Sequence, residues 1–180
     1  QWLVYHKSMG NTETMKWDDT SAATTQSNLW NSTTPTSSVF SVGTHTGSNL
    51  DGGTFVIYLF GDKQGVSKMG SYTGNGNADG TFVYTGFKPA FVMVKQTNAS
   101  GEGWHILDNK RSGVNGDMER LLANSSNAES NYAGNLDLLS NGFKTRINDA
   151  GVNGSGASYI FMAFAENPFV TSTGVPATAR

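Results

Sequence analysis

Residues 49–60 read NLDGGTFVIYLF, and residues 153–164 read NGSGASYIFMAF. Both run from Asn through a Gly-containing turn and a hydroxyl residue into an aromatic and apolar run that closes on Phe. The two copies lie 104 positions apart. Trp2-Leu3-Val4-Tyr5 aligns with Trp104-His105-Ile106-Leu107 at 102 positions, and residues 19–23 align with residues 124–128 at 105. Three matches at nearly one offset define an internal repeat of about a hundred residues. A chain of 180 residues then holds one full unit preceded by part of another, starting out of phase, so that Gln1 reads as a cut or assigned start. A half-unit does not bury its apolar strands alone. Residues 1–60 are therefore expected to be a partial N-terminal unit packed on a complete unit, residues 61–180, in one merged sandwich. The same pairing between chains, with an open strand edge accepting a neighbour, is the alternative.

Strand-like segments are short and bounded by Gly, Asn, Asp or Pro: residues 2–6, 38–42, 54–60, 81–87, 90–96, 104–107, 142–147 and 158–164. Segments 81–87 and 142–147 alternate apolar and polar residues, as half-buried strands do. Segments 54–60 and 158–164 are nearly continuous apolar runs, which suits strands covered on both faces. Asp51-Gly52-Gly53, Asn75-Gly76, Asp79-Gly80 and Asn141-Gly142 supply the turns. Residues 117–124 (DMERLLAN) read as one short helix or a loop, being only about two turns long. The predicted class is all-β, an antiparallel β-sandwich or jelly roll.

Only 14% of residues are charged, and the net charge is −2. With Lys110-Arg111 the longest basic grouping, nothing offers the clustered cations that phosphate neutralisation needs, and nucleic acid is not an expected partner. Aromatics reach 11%, so the low charge does not signal disorder. Cysteine is absent, which rules out disulfides and thiolate metal sites and fits a bacterial or viral source. No apolar run approaches the ~20 residues of a membrane span, so no membrane insertion is expected.

Nucleophilic catalysis lacks its parts. There is no Gly-x-Ser-x-Gly elbow, and His6, His45 and His105 are scattered without an acidic partner at a telling spacing. His105 alternates with Ile106 in a strand and reads as structural or surface. Glycoside hydrolysis needs two acids facing one cleft, and nearly all the acids here lie in turns or loops. The chain is read as no enzyme, with no cofactor and no metal. In the dense turn of residues 71–80 (SYTGNGNADG), oxygens of Asn75, Asn77 and Asp79 resemble the start of a calcium loop, but no Glu follows. A hairpin turn with Asn and Gly at positive φ is the preferred reading there. Aromatic rings stack on sugars while Asn and Asp accept hydroxyl hydrogen bonds. Trp17 and Trp30, in polar surroundings, join Tyr72, Asn75 and Asp79 as candidate ligand-binding residues, with core packing as the competing role for the tryptophans. Trp104 and Tyr132 are further aromatics of this kind, and Trp2 and Trp104 match between repeats as core residues do. The sequons at Asn31, Asn98 and Asn124 are chance in a Ser/Asn-rich chain.

The segments WLVYHKSMG, SYTGNG, GFKPAFV, GWHILDNKRSG, SNGFKTR and MAFAENPF occur in this order between Trp2 and Phe169. In them the chain resembles an uncharacterised domain family common in structural proteins of tailed phages, especially marine bacteriophages, and in prophages. Members are described as tail-fibre-like or concanavalin-A-like lectin proteins. The chain departs from the family's F-A-E-x-x-G-(Y/F)-S-K stretch by carrying Gly61 and Asp62 after Phe60. The resemblance implies a sandwich fold, a virion location, other virion proteins and copies of itself as partners, trimerisation in a fibre, and no catalytic residues. The expected function is a virion appendage domain contributing to host-surface or glycan recognition. A purely structural decoration or filament module is the first alternative, and a carbohydrate-active enzyme is the last.

Overall fold

A computed structural model gives the fold and describes residues 1–111, 115–116, 118–132 and 135–168. In chain order the strands are β1 (Leu3–Val4), β2 (Glu13–Lys16), β3 (Thr24–Thr25), β4 (Ser67–Thr73), β5 (Phe82–Tyr84), β6 (Pro89–Gln96), β7 (His105–Asp108), β8 (Glu119–Leu122), β9 (Ser130–Asn131), β10 (Leu136–Leu139), β11 (Gly142–Thr145) and β12 (Ser158–Ala165). One helical turn, α1 (Thr46–Asn49), lies between β3 and β4. The protein is an all-β sandwich of antiparallel sheets.

The large sheet has the order β4-β12-β6-β7-β8-β9, and β10-β11-β5 and β1-β2-β3 form two smaller sheets. β12 explains the layering. Its run SYIFMAFA pairs with β4 on one side and β6 on the other. Because strand side chains alternate between faces, Tyr159, Phe161 and Ala163 point one way. There they meet Val92, Val94, Leu107, Leu136, Leu138 and Phe143 in the main core, under the β10-β11-β5 sheet. Ile160 and Met162 point the other way and pack with Met93, Trp104 and Met15 beneath the β1-β2-β3 sheet. A strand covered on both faces needs apolar residues at every position, as residues 158–164 predicted.

The matching run at residues 54–60 does not follow. It forms no regular strand, and Val56, Tyr58 and Leu59 are 66%, 66% and 71% exposed. The physical reason is occupancy: the strands able to flank it, β4 and β6, are already paired to β12. Residues 38–42 likewise form no strand. The segment read as helix or loop instead becomes β8, because the edge of β7 captures it in the register His105↔Leu122 and Ile106↔Leu121. Tertiary pairing overrides a two-turn helical preference; Asp117 itself lies outside the described residues. The β10–β11 hairpin turns one residue earlier than predicted, at Ser140-Asn141. Gly142 belongs to the strand: a Cβ there would stand 2.1 Å from the Val83 carbonyl oxygen, so only glycine lets β11 approach β5.

The N-terminal meander repeats the register of the later one. Leu3↔Lys16 and Val4↔Met15 match His105↔Leu122 and Ile106↔Leu121. Glu13↔Thr25 and Thr14↔Thr24 match Glu119↔Asn131 and Arg120↔Ser130. The Trp2 amide donates to Asp18 Oδ1 (3.2 Å) as the Trp104 amide does to Asn124 Oδ1 (2.8 Å). Ser21 N donates to Asp19 Oδ1 as Asn127 N does to Ser125 Oγ. These pairs correct the sequence alignment by one residue: Asp18, not Asp19, is the counterpart of Asn124. Side-chain chemistry misled there, since Asp and Ser serve the same turn role through an oxygen acceptor.

Asp62, where the family motif carries Glu, pins the entry to β4. Its carboxylate accepts from the Met69 amide (2.7 Å) and pairs with Lys7 and Lys68. Partial burial pushes its pKa up, but the Lys7 and Met69 hydrogen bonds and the two ammonium charges outweigh this and hold it below the usual carboxylate value. A lowered folded pKa means stability that is present above the unfolded value of about 3.9 and lost as pH falls through the folded one. Asp62→Asn is expected to cost about 1 kcal/mol at neutral pH, most of it from the amide bond, since the exposed ion pairs are screened. It should also flatten the acid limb of stability below about pH 4, checked by urea titration across pH.

Candidate functional site

The open side of the sandwich is formed by two edge strands, β4 of the large sheet and β5 of the small one. β5 reads Phe-Val-Tyr, and alternation buries Val83 opposite Phe143 while turning Phe82 and Tyr84 outward. Phe82 is 44% exposed and Tyr84 is 64% exposed. Gly142 lies directly across from Tyr84, and the Phe82 ring lies over it. The result is an aromatic platform with no side chain between the two rings. Around the β5 edge a cleft of about 240 Å³ opens, lined by Lys68, Gly70, Ser71, Tyr72, Val83 and Phe161. Its depth depends on Gly70, where a Cβ would come within 2.7 Å of the Phe161 ring.

Charge borders the platform. Lys144, across from Phe82 in the β11–β5 register, holds Asp79 at 2.5 Å. Arg146 lies 3.8 Å from Asp79 and 2.5 Å from Asp137. The Lys144 hydrogen bond and charge keep Asp79 below the usual carboxylate range. The network is solvated, with both signs present, so it offers hydrogen-bond donors and acceptors rather than a single-sign field.

Three of the sequence candidates meet near this face. Tyr72 stacks on Tyr159 at 4.9 Å and 13°, and its hydroxyl donates to the Val152 carbonyl (2.6 Å). Burial drives its phenol pKa well above 10, so it stays neutral, a wall of the cleft rather than a free stacking ring. In the β4–β5 loop the side-chain oxygens are spent on the turn itself. Asn75 Oδ1 accepts from the Asn77 amide (3.0 Å) and Asn77 Oδ1 from the Asp79 amide (3.0 Å), which is the hairpin reading rather than the cation-loop one. Trp17 and Trp30 stand in the opposite layer. Trp17 stacks on Trp104 at 5.8 Å, and Trp30 donates its indole N–H to the Glu13 carbonyl (3.1 Å). Both are half-buried, and neither lines the cleft beside Tyr72.

Sequence reasoning missed Phe82 and Tyr84. The signal was present in the F-V-Y alternation of a short segment bounded by turns, but it does not say which parity faces the core. It also missed the surroundings of His105, which is buried in β7. Glu102 approaches its Nε2 at 3.8 Å, Tyr132 lies 5.8 Å away, and neither ring nitrogen has a protein hydrogen-bond partner among the described residues. Tyr132 in turn donates to Asp149, and the Arg120 guanidinium lies 3.9 Å over its ring. The His105 imidazole, followed by the Arg120 and Lys95 charges, lowers the Glu102 pKa against partial burial. Gly151 packs against this cluster, and a Cβ there would stand 2.4 Å from the His105 ring.

A family described as a domain of unknown function, DUF7483, matches residues 1–168. The chain belongs to the DUF7483 family. No curated protein matches this DUF7483 domain, and no solved structure does. The match runs without a break through the N-terminal meander and the sandwich that follows it, so both layers flanking the large sheet are parts of the DUF7483 domain. No helix among the described residues is long and apolar enough to cross a membrane.

Proposed function

We propose that this DUF7483 domain is a non-enzymatic binding module of a phage virion appendage that contacts glycan on the host surface. The observation that carries this reading is the exposed Phe82–Tyr84 pair, two rings on one face of an edge strand with Gly142 between them. Aromatic faces stack on the C–H faces of sugar rings, and neighbouring amides, carboxylates and ammonium groups hydrogen-bond the hydroxyls. Lys144, Arg146, Asp79 and Asp137 stand beside the rings to do so. The virion location and the presence of other virion proteins and copies of the chain as partners rest on the resemblance to tail-fibre-like proteins. A platform this small binds weakly, and several copies on one fibre, as in a trimer, would raise affinity through effective concentration.

Binding of a multimerised chain to glycan arrays and to host-cell polysaccharide tests the reading. Tyr84→Ala and Phe82→Ala should each weaken binding about tenfold, or 1.4 kcal/mol, without loss of stability, because both rings are exposed. A folded multimer that binds no glycan overturns it. A purely structural module is the second reading, favoured by the edges of β4 and β5, which pair with no further strand among the described residues and are templates for strand addition. In that case the same two substitutions change self-association in light scattering and leave glycan binding absent.

A further inference from the structure

The face of the large sheet beneath the β1-β2-β3 sheet changes character along its strands. Met69, Met162 and Met93 lie side by side across β4, β12 and β6 and pack under the meander. Further along the same three strands the face turns polar. Ser71 pairs with Ile160, Thr73 pairs with Ser158, and the Thr97 amide donates to the Ser158 carbonyl (2.8 Å). Alternation sets Ser71, Thr73, Ser158 and Thr97 on the same face as the methionines. They form a floor of hydroxyls beside the buried Ile160.

The wall facing this floor comes from the meander. Glu13 lies two residues before Met15 on β2, and Met15 is buried against Met93 and Ile160. The Glu13 side chain therefore also points at the large sheet. Its main chain is held from two sides: Glu13 pairs with Thr25 of β3, and its carbonyl accepts the Trp30 indole N–H (3.1 Å). Ser8 and Met9 extend the wall from the β1–β2 loop. Between wall and floor lies a cleft of about 510 Å³, the size of a small-molecule site.

The polar groups converging there are free. In and beside the strands other hydroxyls bond the backbone: Ser67 Oγ donates to Gly61 O (2.7 Å), Thr81 Oγ1 to Thr73 O (2.8 Å) and Thr85 Oγ1 to Phe87 O (2.6 Å). The hydroxyls of Ser8, Ser71, Thr73 and Ser158 make no hydrogen bond among the described residues. The Glu13 carboxylate makes neither a hydrogen bond nor an ion pair among them, and no other charged side chain of the described residues lines the cleft.

That set of groups selects a ligand chemistry. A carboxylate only accepts, whereas serine and threonine hydroxyls both donate and accept. Neighbouring hydroxyls of a sugar ring meet both demands, and the Met9 thioether offers its C–H face a soft apolar contact. An acidic ligand would meet the Glu13 charge with no cation to offset it. One carboxylate is too little charge for a calcium cage of six to eight oxygens, and no three acids or histidines among the described residues are placed to hold a metal.

We propose that this cleft is a second saccharide site, specific for a neutral sugar, in which Glu13 receives two neighbouring ring hydroxyls and Ser71, Thr73 and Ser158 bond the others. It lies on the opposite face of β4 from the Phe82–Tyr84 platform and does not rest on binding there.

The test titrates the isotope-labelled chain with the neutral disaccharides lactose, maltose, cellobiose and mannobiose and follows its amides by NMR. Galacturonate, spermidine and calcium chloride serve as the acidic, cationic and metal probes. The amides of Thr73, Thr97 and Ser158 should shift with at least one neutral disaccharide and with none of the other three probes. Glu13→Gln should weaken that binding about tenfold and Ser158→Val about fivefold, each with the rest of the amide spectrum in place. The amides of Phe82 and Tyr84 report the platform separately. Neutral-sugar shifts confined to those two overturn this site and sustain the platform. The proposal is also overturned by the absence of any shift with the neutral disaccharides, by shifts at the cleft with one of the other probes alone, or by sugar binding that Glu13→Gln leaves intact.

Discussion

Asn153→Ala is expected to lower stability by about 2–4 kcal/mol, because one buried amide ties three separate segments together. The side chain is fully buried. Its Nδ2 donates toward Ile147 O (3.0 Å), Asn77 O (2.8 Å) and Asn75 Oδ1 (3.1 Å), and its Oδ1 accepts from the Asn75 amide (3.0 Å). Alanine removes the donor and acceptor together but leaves the Asn75 amide and the Ile147 carbonyl without their partner, and it is this desolvation that sets the size of the effect. Denaturant midpoints measure the loss. Exchange at the amides of Asn75 and Asn77 should rise along with it, because those two bonds hold the β4–β5 loop down. The counterpart substitution Asn49→Ala breaks one bond at an exposed site and should cost no more than about 1 kcal/mol. Equal costs at the two positions would show that the bonds to residues 75–77 contribute nothing.

Phe143→Ala should be larger still, about 3–5 kcal/mol. The ring is fully buried in β11, edge-on to Phe161 at 5.3 Å and to Tyr72 at 5.9 Å. It also faces Val83 and Leu138 through its strand pairs, so both small-sheet neighbours lose contact at once. Strands on all sides fix the walls, and the cavity has little means of collapse. Phe143→Leu, which keeps most of the volume, should cost about 1.5 kcal/mol or less. Phe40→Ala, 103 positions earlier at a ring that is 36% exposed, should move stability by no more than about 0.5 kcal/mol. A chemical-denaturation series on the three variants separates these values clearly.

Several features were legible in the sequence for physical reasons that the structure bears out. Residues 158–164 spelled a strand covered on both faces because a central strand has no polar side to advertise. Residues 81–87 and 142–147 were marked by their turn residues and by period-two alternation. Strands β2, β4, β8 and β10 were not marked. The β4 stretch SKMGSYT is mostly polar, and it is a strand only because β12 offers it seven consecutive pairings. The β10 stretch LDLL is short enough to serve in several structures, and its hairpin with β11 decides it. Residues 54–60 show the opposite failure. The local pattern reads as strand, yet pairing is non-local, and the place between β4 and β6 is taken by β12. Candidate site residues suffered from the same ambiguity of parity. Trp17 and Trp30 were singled out by their polar neighbours, while the alternation around Phe82 and Tyr84 left open which parity faces the core.

The central place of β12 has a consequence for how the chain reaches this fold. The last strand among the described residues is the one that joins β4 to β6, and its paired residues lie 164 − 67 = 97 to 158 − 73 = 85 positions from their partners in β4 and 165 − 89 = 76 to 159 − 96 = 63 from those in β6. During synthesis β4 and β6 emerge first and cannot pair with each other in the final arrangement, because the strand that belongs between them has not been made. The large sheet therefore closes only after residue 165 clears the ribosome, and closure joins segments far apart in sequence, which makes folding slow. Until then the facing edges of β4 and β6 wait unpaired, the state in which a β-protein is most open to capture by a neighbouring nascent chain or by a chaperone.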